Sequence, residues 1–325
     1  MTKKKIRVGI LFGGKSAEHE VSLQSAKNVV EAIDKKKYRP ISILIDKKGN
    51  WNQKKIKYVD VIFPILHGPF GEDGTVQGLL KLANIPFVGA SVLGSAVGMD
   101  KDIMKRLLRD SKIPIGKFLV ARANNIPTYK EVAKALGSQF FIKPANMGSS
   151  IGVSKIENEK DFKKAIKEAF KYDLKIIFEE YIEGREIECS VLGNDKPIAS
   201  VPGEVISSHD FYSYEAKYID EHGATLEIPV KLSPQITKNI QKLAVKTFKI
   251  LACEGFGRVD FFLKKDGSII VNEINTIPGF TSISMYPKLW EASGISYTKL
   301  IDKLIQLAIE RFKKEQKLKT SYVLK

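Results

Sequence analysis

The sequence predicts an α/β protein whose first third is built on a parallel sheet with helices on both faces. Three observations predict it. Apolar runs at 6–12 (IRVGILF), 41–46 (ISILID) and 59–66 (VDVIFPIL) read as buried strands, because they lack the polar alternation of half-exposed ones. Segments 22–32 and 74–84 carry helical periodicity between and after those runs, and strands alternating with helices build a mostly parallel sheet. Glycine-rich turns stand where strand hands over to helix. Ligands of such sheets gather at the carboxyl ends of the strands, here the loops 13–20 (GGKSAEHE) and 67–74 (HGPFGEDG).

A second unit is expected from residue 99. It holds a helix at 101–110, an extended segment at 116–121, a helix at 128–136 and a strand–loop–strand at 140–156 (FFIKPANMGSSIGVSKI). A helix at 159–171 and a strand at 175–181 complete it. The third unit centres on a hairpin, with strands at 258–263 and 269–274 joined by the KKDG turn 264–267. It ends in an amphipathic helix at 297–314, and residues 315–325 are expected to fray. The predicted division is thus 1–98, 99–182 and 183–325, without repeats or low-complexity linkers. Residues 201–226 (VPGEVISSHDFYSYEAKYIDEHGATL) read as one long loop whose aromatics want a packing surface. Long loops of that kind inside a compact domain are often lids.

Composition narrows the function. With 325 residues, 43% hydrophobic and 28% charged, the chain is an ordinary globular protein long enough for several cores. No apolar run approaches the ~18 residues that cross a bilayer, so no membrane partner is expected. The start, MTKKKIRVGILFGG, does not read as a signal peptide, since its apolar stretch is short and runs into a glycine turn. Cys189 and Cys253 lack metal-type spacing and read as core thiols of a cytoplasmic protein. The net charge of +16 invites a nucleic-acid reading, but 45 of the 53 basic residues are Lys and only 8 are Arg. Phosphate readers favour the arginine fork, so no nucleic-acid partner is expected.

The hairpin carries the chemistry. Side chains two apart on a strand share a face, so Glu273 and Asn275 point together and the hairpin brings Asp260 opposite. Two carboxylates and an amide oxygen suit Mg²⁺ rather than zinc; a solvated hairpin with ordinary surface charges is the alternative that spacing leaves open. Arg258 shares the face of Asp260, and the Pro-Gly and Ser/Thr run at 278–284 offers backbone N–H groups to an anion. Lys143 with the loop 148–152 (GSSIG) is a candidate phosphate cradle, although as a bare Gly-Ser turn it would be unremarkable and it is no Walker A motif. The strand end at 178–182 with Glu186 beyond it suits an adenine edge and a ribose carboxylate. Glu18 or Glu20 faces the cleft in one reading, to hold an ammonium group; in the other, Ser16 merely caps the next helix. His67 and His19 are the only histidines in the cleft loops, with packing roles the alternative.

Together these motifs resemble the D-alanine–D-alanine ligases of the ATP-grasp superfamily over nearly the whole chain. The resemblance rests, in order, on GGKSAEHEVSL, LHGPFGEDG, MDK (99–101), IKPANMGSSIGV, FYSYEAKY and GFGRVDFF…VNEINTIPGFTSIS. It implies an ATP-grasp fold behind an N-terminal, Rossmann-like parallel-sheet domain. The implied activity is ATP-dependent ligation of two D-alanines through an acyl phosphate, for peptidoglycan precursors. The implied cofactors are ATP and Mg²⁺, with Mn²⁺ as a substitute; the implied partners are the small-molecule substrates and a second copy in a homodimer. By matching motif, Asp260, Glu273 and Asn275 would hold the metal, with Asn275 also facing the nucleotide. Lys101, Lys143 and Ser150 would contact its phosphates, Glu179 and Ile182 would border adenine, and Glu186 would take the ribose. Glu18 would hold the first D-alanine's ammonium and be linked to the lid by Ser149 and Tyr218, with His67 beside the substrate. Arg258 and the Gly279 N–H would form an oxyanion hole, and Ser284 and Lys217 would receive the second carboxylate. Met285, where many members carry Leu, is a departure that bears on the second substrate. A D-alanine–D-lactate ligase, another ATP-grasp carboxylate–amine ligase and a nucleotide-binding regulator are the rivals.

Overall fold

The computed structural model describes residues 4–207 and 224–319. Three sheets organise it. The first has the order β2-β1-β3, from β1 (Ile6–Gly13), β2 (Tyr38–Ile45) and β3 (Val61–Ile65), with β1 parallel to both neighbours. Val8, Ile10, Leu11 and all five residues of β3 are buried, as a sheet covered on two faces requires. Helix α1 (His19–Ala32) starts three residues earlier than the periodicity predicts. Gly13, at φ +94, lets β1 turn into it, and the Gly13 N–H is taken by Ser22 Oγ at 2.7 Å. Helices α2 (Thr75–Leu82) and α3 (Val92–Met99) follow. The loops after β1 and β3 therefore leave the same sheet edge, as expected.

Sequence reasoning missed α3, whose SVLGSAVGM stretch is rich in weak helix formers. Its glycines answer to tertiary contacts. A Cβ on Gly94 would meet the Ala252 carbonyl oxygen at 2.5 Å, and one on Gly98 would meet the Thr276 methyl at 2.6 Å.

The second sheet, β4-β7-β5-β6, is antiparallel and formed by Phe118–Arg122, Phe140–Pro144, Ser154–Ile156 and Lys175–Glu180, which are β4, β5, β6 and β7 in chain order. Helices α4 (Lys101–Asp110), α5 (Tyr129–Leu136) and α6 (Glu159–Ala169) belong to this part of the chain. Phe140, Phe162 and Phe178 interlock beneath the sheet, the last two stacked at 5.9 Å.

The third sheet runs β10-β9-β8-β11-β12, from β8 (Arg185–Gly193), β9 (Ile198–Ser207), β10 (Ala224–Glu227), β11 (Gly255–Leu263) and β12 (Ile269–Asn275). The stretch 201–226 is therefore not one long loop. Its two ends pair as antiparallel strands, because Leu226 and Val205 sit opposite each other and help cover Met285 and Leu289. The rest of that stretch, and Lys217 and Tyr218 with it, lies outside the described residues. Helix α7 (Pro234–Ile250) was also missed, although Ser233 caps Ile236 and Pro234 occupies the first turn, both helix-start signals.

Helix α8 (Met285–Ala292) and helix α9 (Tyr297–Glu315) close the chain. The largest core joins the first sheet to this end: Phe63 meets Phe280 edge-on at 5.6 Å, and Leu300, Ile301 and Leu304 pack with Val8 and Val29. Arg311, 7% exposed, donates to the carbonyls of Phe87 and Gly89 and pins α9 to the connection between α2 and α3. Cys189 and Cys253 are free and buried, and burial pushes both thiols up to about 12. They are core thiols, as expected. No helix among the described residues is long and apolar enough to cross a membrane.

Candidate active site

Pairing of β8, β11 and β12 sets Glu188, Asp260 and Glu273 directly opposite one another across three strands. Two residues along, Arg258 faces Asn275 on the same side of the sheet. Carboxylates placed opposite each other repel, and cations hold this row together. Arg258 donates from Nε and Nη2 to the two oxygens of Asp260, each at 2.8 Å. Its Nε is also 2.8 Å from Glu188 Oε2; since that N–H is given to Asp260, the second contact is an ion pair rather than a hydrogen bond. Burial alone would weaken the guanidinium's hold on its proton, but the Asp260 and Glu188 charges outweigh it. Lys101 Nζ lies 3.2 Å from Glu273 Oε2 and donates to the Met147 carbonyl at 2.8 Å.

Among the described residues no group of three or more His, Cys, Asp or Glu is placed to hold a metal ion. The expected set draws its third donor from Asn275, whose Oδ1 accepts the Ile277 N–H at 3.1 Å. Asp260, Glu273 and Asn275 lie on one face and offer only hard oxygens, a donor chemistry that fits Mg²⁺. Beyond Asn275 the chain turns through Gly279. A Cβ there would come 2.7 Å from Ser284 Oγ, so only glycine lets the backbone run so close to that hydroxyl. Ser284 itself accepts the Thr281 N–H at 3.0 Å.

The opposite wall comes from the first sheet. Glu18 stands at the start of α1 but its side chain does not cap the helix; it is 6% exposed and accepts a hydrogen bond from the Ser149 hydroxyl, 131 residues away. Ser16 accepts the Glu18 N–H at 3.2 Å in the turn ahead of α1 and does not cap the helix, so the capping alternative does not hold and the Glu18 carboxylate is left to the cleft. Ser149 and Ser150 carry φ of +52 and +59, backbone that non-glycine residues adopt at a cost of about 1–3 kcal/mol and that clusters at functional loops. His67 Nδ1 is 3.7 Å from Glu72 Oε1, both buried. Burial disfavours charge on His67, yet the neighbouring carboxylates of Glu72 and Glu18 outweigh it and raise its pKa; burial raises that of Glu72. His19, in contrast, packs with its Nδ1 2.7 Å from the Gly14 carbonyl.

Glu18, His67, Lys101, Ser149, Glu186, Arg258, Asp260, Glu273, Asn275, Gly279, Ser284 and Met285 all line one cleft of about 1060 Å³. Sequence order separates these residues by up to 267 positions, the interval from Glu18 to Met285.

Two family models match the chain. One, described as the D-ala D-ala ligase C-terminus, covers residues 107–306; the other, described as the D-ala D-ala ligase N-terminus, covers 7–59 and 52–90. A D-alanine–D-alanine ligase of Oceanobacillus iheyensis is 53% identical, the match spanning 98% of this chain and 99% of that one. The chain belongs to the D-alanine–D-alanine ligase family. Among solved structures, the D-alanine–D-alanine ligase from Coxiella burnetii superposes with a TM-score of 0.87 at 40% identity, covering 97% of each chain. The D-alanine–D-alanine ligase from Bacillus anthracis complexed with ATP superposes with a TM-score of 0.82 at 30% identity, covering 95% of this chain and 99% of that one. The fold is thus that of the ATP-grasp ligases, with the parallel sheet at the N-terminus and antiparallel sheets after it.

Four of the family-matched residues lie beside the cleft lining rather than in it. Lys143 on β5 stands opposite Ile177 and reaches diagonally to Glu179 on β7, forming an ion pair of 2.6 Å, with Lys105 Nζ 2.8 Å from the other Glu179 oxygen. Ile182 follows β7, half-buried near Gly116, and Ser150 sits in the loop after β5. Sequence reasoning missed Lys105, Glu72 and Glu188. Lys105 lies one helical turn after Lys101, and Glu188 two residues after Glu186 on one strand, so both spacings were available as signals.

Glu179 is 5% exposed between two lysines. Burial pushes its carboxyl up, but Lys105 and Lys143 outweigh that and hold it far below the ordinary glutamate value of 4.5. A depressed folded-state pKa contributes stability above the unfolded value and loses it as pH falls, so this contribution is present at pH 7 and fades below about pH 4.5. Glu179→Gln is expected to cost about 3–5 kcal/mol, because buried Lys105 and largely buried Lys143 lose the carboxylate they share. Urea titrations of both proteins at pH 7 and pH 4 check it: the difference should shrink at the lower pH, and equal midpoints at pH 7 would refute it.

Proposed function

We propose that this chain joins two D-alanines into D-alanyl-D-alanine at the expense of ATP, in the cytoplasm and as a homodimer. The single observation that carries the reading is the Ser149–Glu18 contact, which sets a buried carboxylate against the loop between β5 and β6 and across the cleft from Arg258. That recess is small. A Cβ on Gly148 would stand 3.9 Å from carboxylate oxygens of both Glu18 and Glu72, which suits the ammonium of a compact amino acid.

A carboxylate is a poor electrophile, so ATP first converts the bound D-alanine to an acyl phosphate. Glu18 orients that amino acid by its ammonium, with His67 and Glu72 alongside. Lys101 and Lys143 neutralise charge on the phosphates, Ser150 adds a hydroxyl, Glu179 and Ile182 border adenine, and Glu186 takes the ribose. Positioning and charge neutralisation supply most of the rate in phosphoryl transfer. Asp260, Glu273 and Asn275 would hold Mg²⁺, with Mn²⁺ an acceptable substitute; such an ion acts as a Lewis acid on phosphoryl oxygens. Ser284 and Met285 border the second D-alanine, whose neutral amine attacks the acyl phosphate. Arg258 spends two of its five N–H groups on Asp260, leaving others, with the Gly279 N–H, for the tetrahedral oxyanion. Lys217 would join Ser284 in receiving the second carboxylate, and Tyr218 would link Glu18 and Ser149 to the lid. The three units 1–98, 99–182 and 183–325 then contribute the first-substrate loops, the phosphate loop and the metal hairpin.

Phosphate release in the presence of D-alanine, but not L-alanine or no amino acid, tests the activity. D-alanine and D-lactate supplied together at equal concentration with ATP and Mg²⁺ test the second subsite. Dipeptide is the expected main product at pH 7, and its share should grow toward pH 9 as free amine becomes commoner. A mainly ester product across that range would instead assign a depsipeptide ligase.

A further inference from the structure

The site as read above gives Lys101 a phosphate contact, and its neighbourhood shows what holds it there. Lys101 is flanked in sequence by two acids. Asp100 caps α4, accepting the N–H groups of Asp102 and Ile103. Lys175, at the start of β7, reaches both flanking acids. Its Nζ lies 2.7 and 2.6 Å from the two Asp100 oxygens and 3.2 Å from Asp102 Oδ2. The Lys175 side chain is only 9% exposed, as is that of Asp102.

The backbone closes this into a ring. The Ala145 N–H donates to the Lys175 carbonyl at 2.9 Å, and the Lys101 N–H donates to the Ala145 carbonyl at 3.0 Å. Asp173, two residues before Lys175, accepts the Asn146 N–H at 2.7 Å and the Lys175 N–H at 3.1 Å. The start of α4, the root of the loop that carries Ser149 and Ser150, and the turn into β7 thus share one set of bonds. The charges also balance. Asp100 and Asp102 face Lys175, with Arg106 donating to Asp102 at 2.5 Å. Two anions meet two cations, and Lys101 is left to reach Met147 and Glu273.

We infer that Lys175 is a positioning residue for the nucleotide site: it fixes the Lys101 backbone against the phosphate loop and keeps Asp100 and Asp102 from drawing off the Lys101 ammonium. It touches no substrate. Without its charge, two largely buried carboxylates would be left with one cation between them, and the neighbouring ammonium of Lys101 becomes the nearest replacement. The effect should fall on the nucleotide and not on D-alanine, whose wall lies across the cleft at Glu18.

The inference rests on Lys101 contacting the nucleotide, and the test separates the two. ATP affinity is measured by calorimetry with Mg²⁺, and KM for ATP and for D-alanine by steady-state kinetics, on wild type, Lys175→Met, Asp100→Asn and Lys101→Met. Lys175→Met is expected to raise Kd and KM for ATP at least fivefold while KM for D-alanine stays within twofold. Asp100→Asn keeps a good helix cap and leaves Lys175 its contact with Asp102; it should fold and shift ATP affinity in the same sense, and it decides the matter if Lys175→Met does not fold. Unaltered ATP affinity in Asp100→Asn, or parallel losses for both substrates, would overturn the positioning role while Lys101→Met still weakens ATP. If Lys101→Met also binds ATP normally, the reading of Lys101 falls and the inference with it.

Discussion

Glu273→Gln is expected to lower kcat by two orders of magnitude or more at saturating Mg²⁺, with the fold intact. Glutamine keeps the shape of glutamate but removes the charge that faces Asp260 across the hairpin and meets Lys101 at 3.2 Å. In the reading proposed above, that charge helps hold the ion that neutralises the transferring phosphoryl group, a contribution of several kcal/mol. The fold should survive because Glu273 is partly open to the cleft and its loss relieves repulsion with Asp260. Circular dichroism and a thermal melt serve as controls. Retention of more than a tenth of wild-type kcat, a barrier change below ~1.4 kcal/mol, would remove Glu273 from the metal set.

Arg258 should give the second large effect, and a mixed one. In the reading proposed above its guanidinium would donate to an oxyanion; in the structure it also meets both Asp260 and Glu188, which stand opposite each other on adjacent strands. Arg258→Met is therefore expected to lose about 10²–10³ in kcat through the missing oxyanion donor. It should also lose stability, on the order of 3–5 kcal/mol, because two largely buried carboxylates facing each other lose the cation that both contact. Arg258→Lys divides the two roles. It restores a cation and much of the stability, but not the fork that spans Asp260 while still facing the cleft, so its kcat should stay well below wild type. Urea denaturation set beside kcat checks this; a lysine variant with near-wild-type kcat would show that charge alone suffices and that the oxyanion assignment is wrong.

Much of this site could be read without coordinates. The alternation of β12 put Glu273 and Asn275 on one face, and the KKDG turn brought Asp260 opposite Glu273, which is the observed register. Buried-strand runs placed the loops bearing Glu18 and His67 at one sheet edge. Glu188, Lys105 and Glu72 escaped because each looks like an ordinary surface charge until a neighbour from another element is known. Lys105 acquires meaning only against Glu179, 74 positions later in the chain.

What the sequence by itself determined was local: strand and helix type where periodicity was strong, turns where glycine permitted a left-handed backbone, and the donor chemistry of the hairpin. Its weak points were also local in origin, since α3 is built from residues with little helix preference and the ends of 201–226 become strands by pairing with β8 and with each other. The tertiary structure alone decided which charges compensate which. No spacing shows that Arg258 grips Asp260 and meets Glu188, or that Glu179 lies between Lys105 and Lys143. The physical reason is desolvation. A charge withdrawn from water must find a partner within a few ångströms, and which partner is near depends on how α4, β5, β7 and β11 pack, not on any spacing within them.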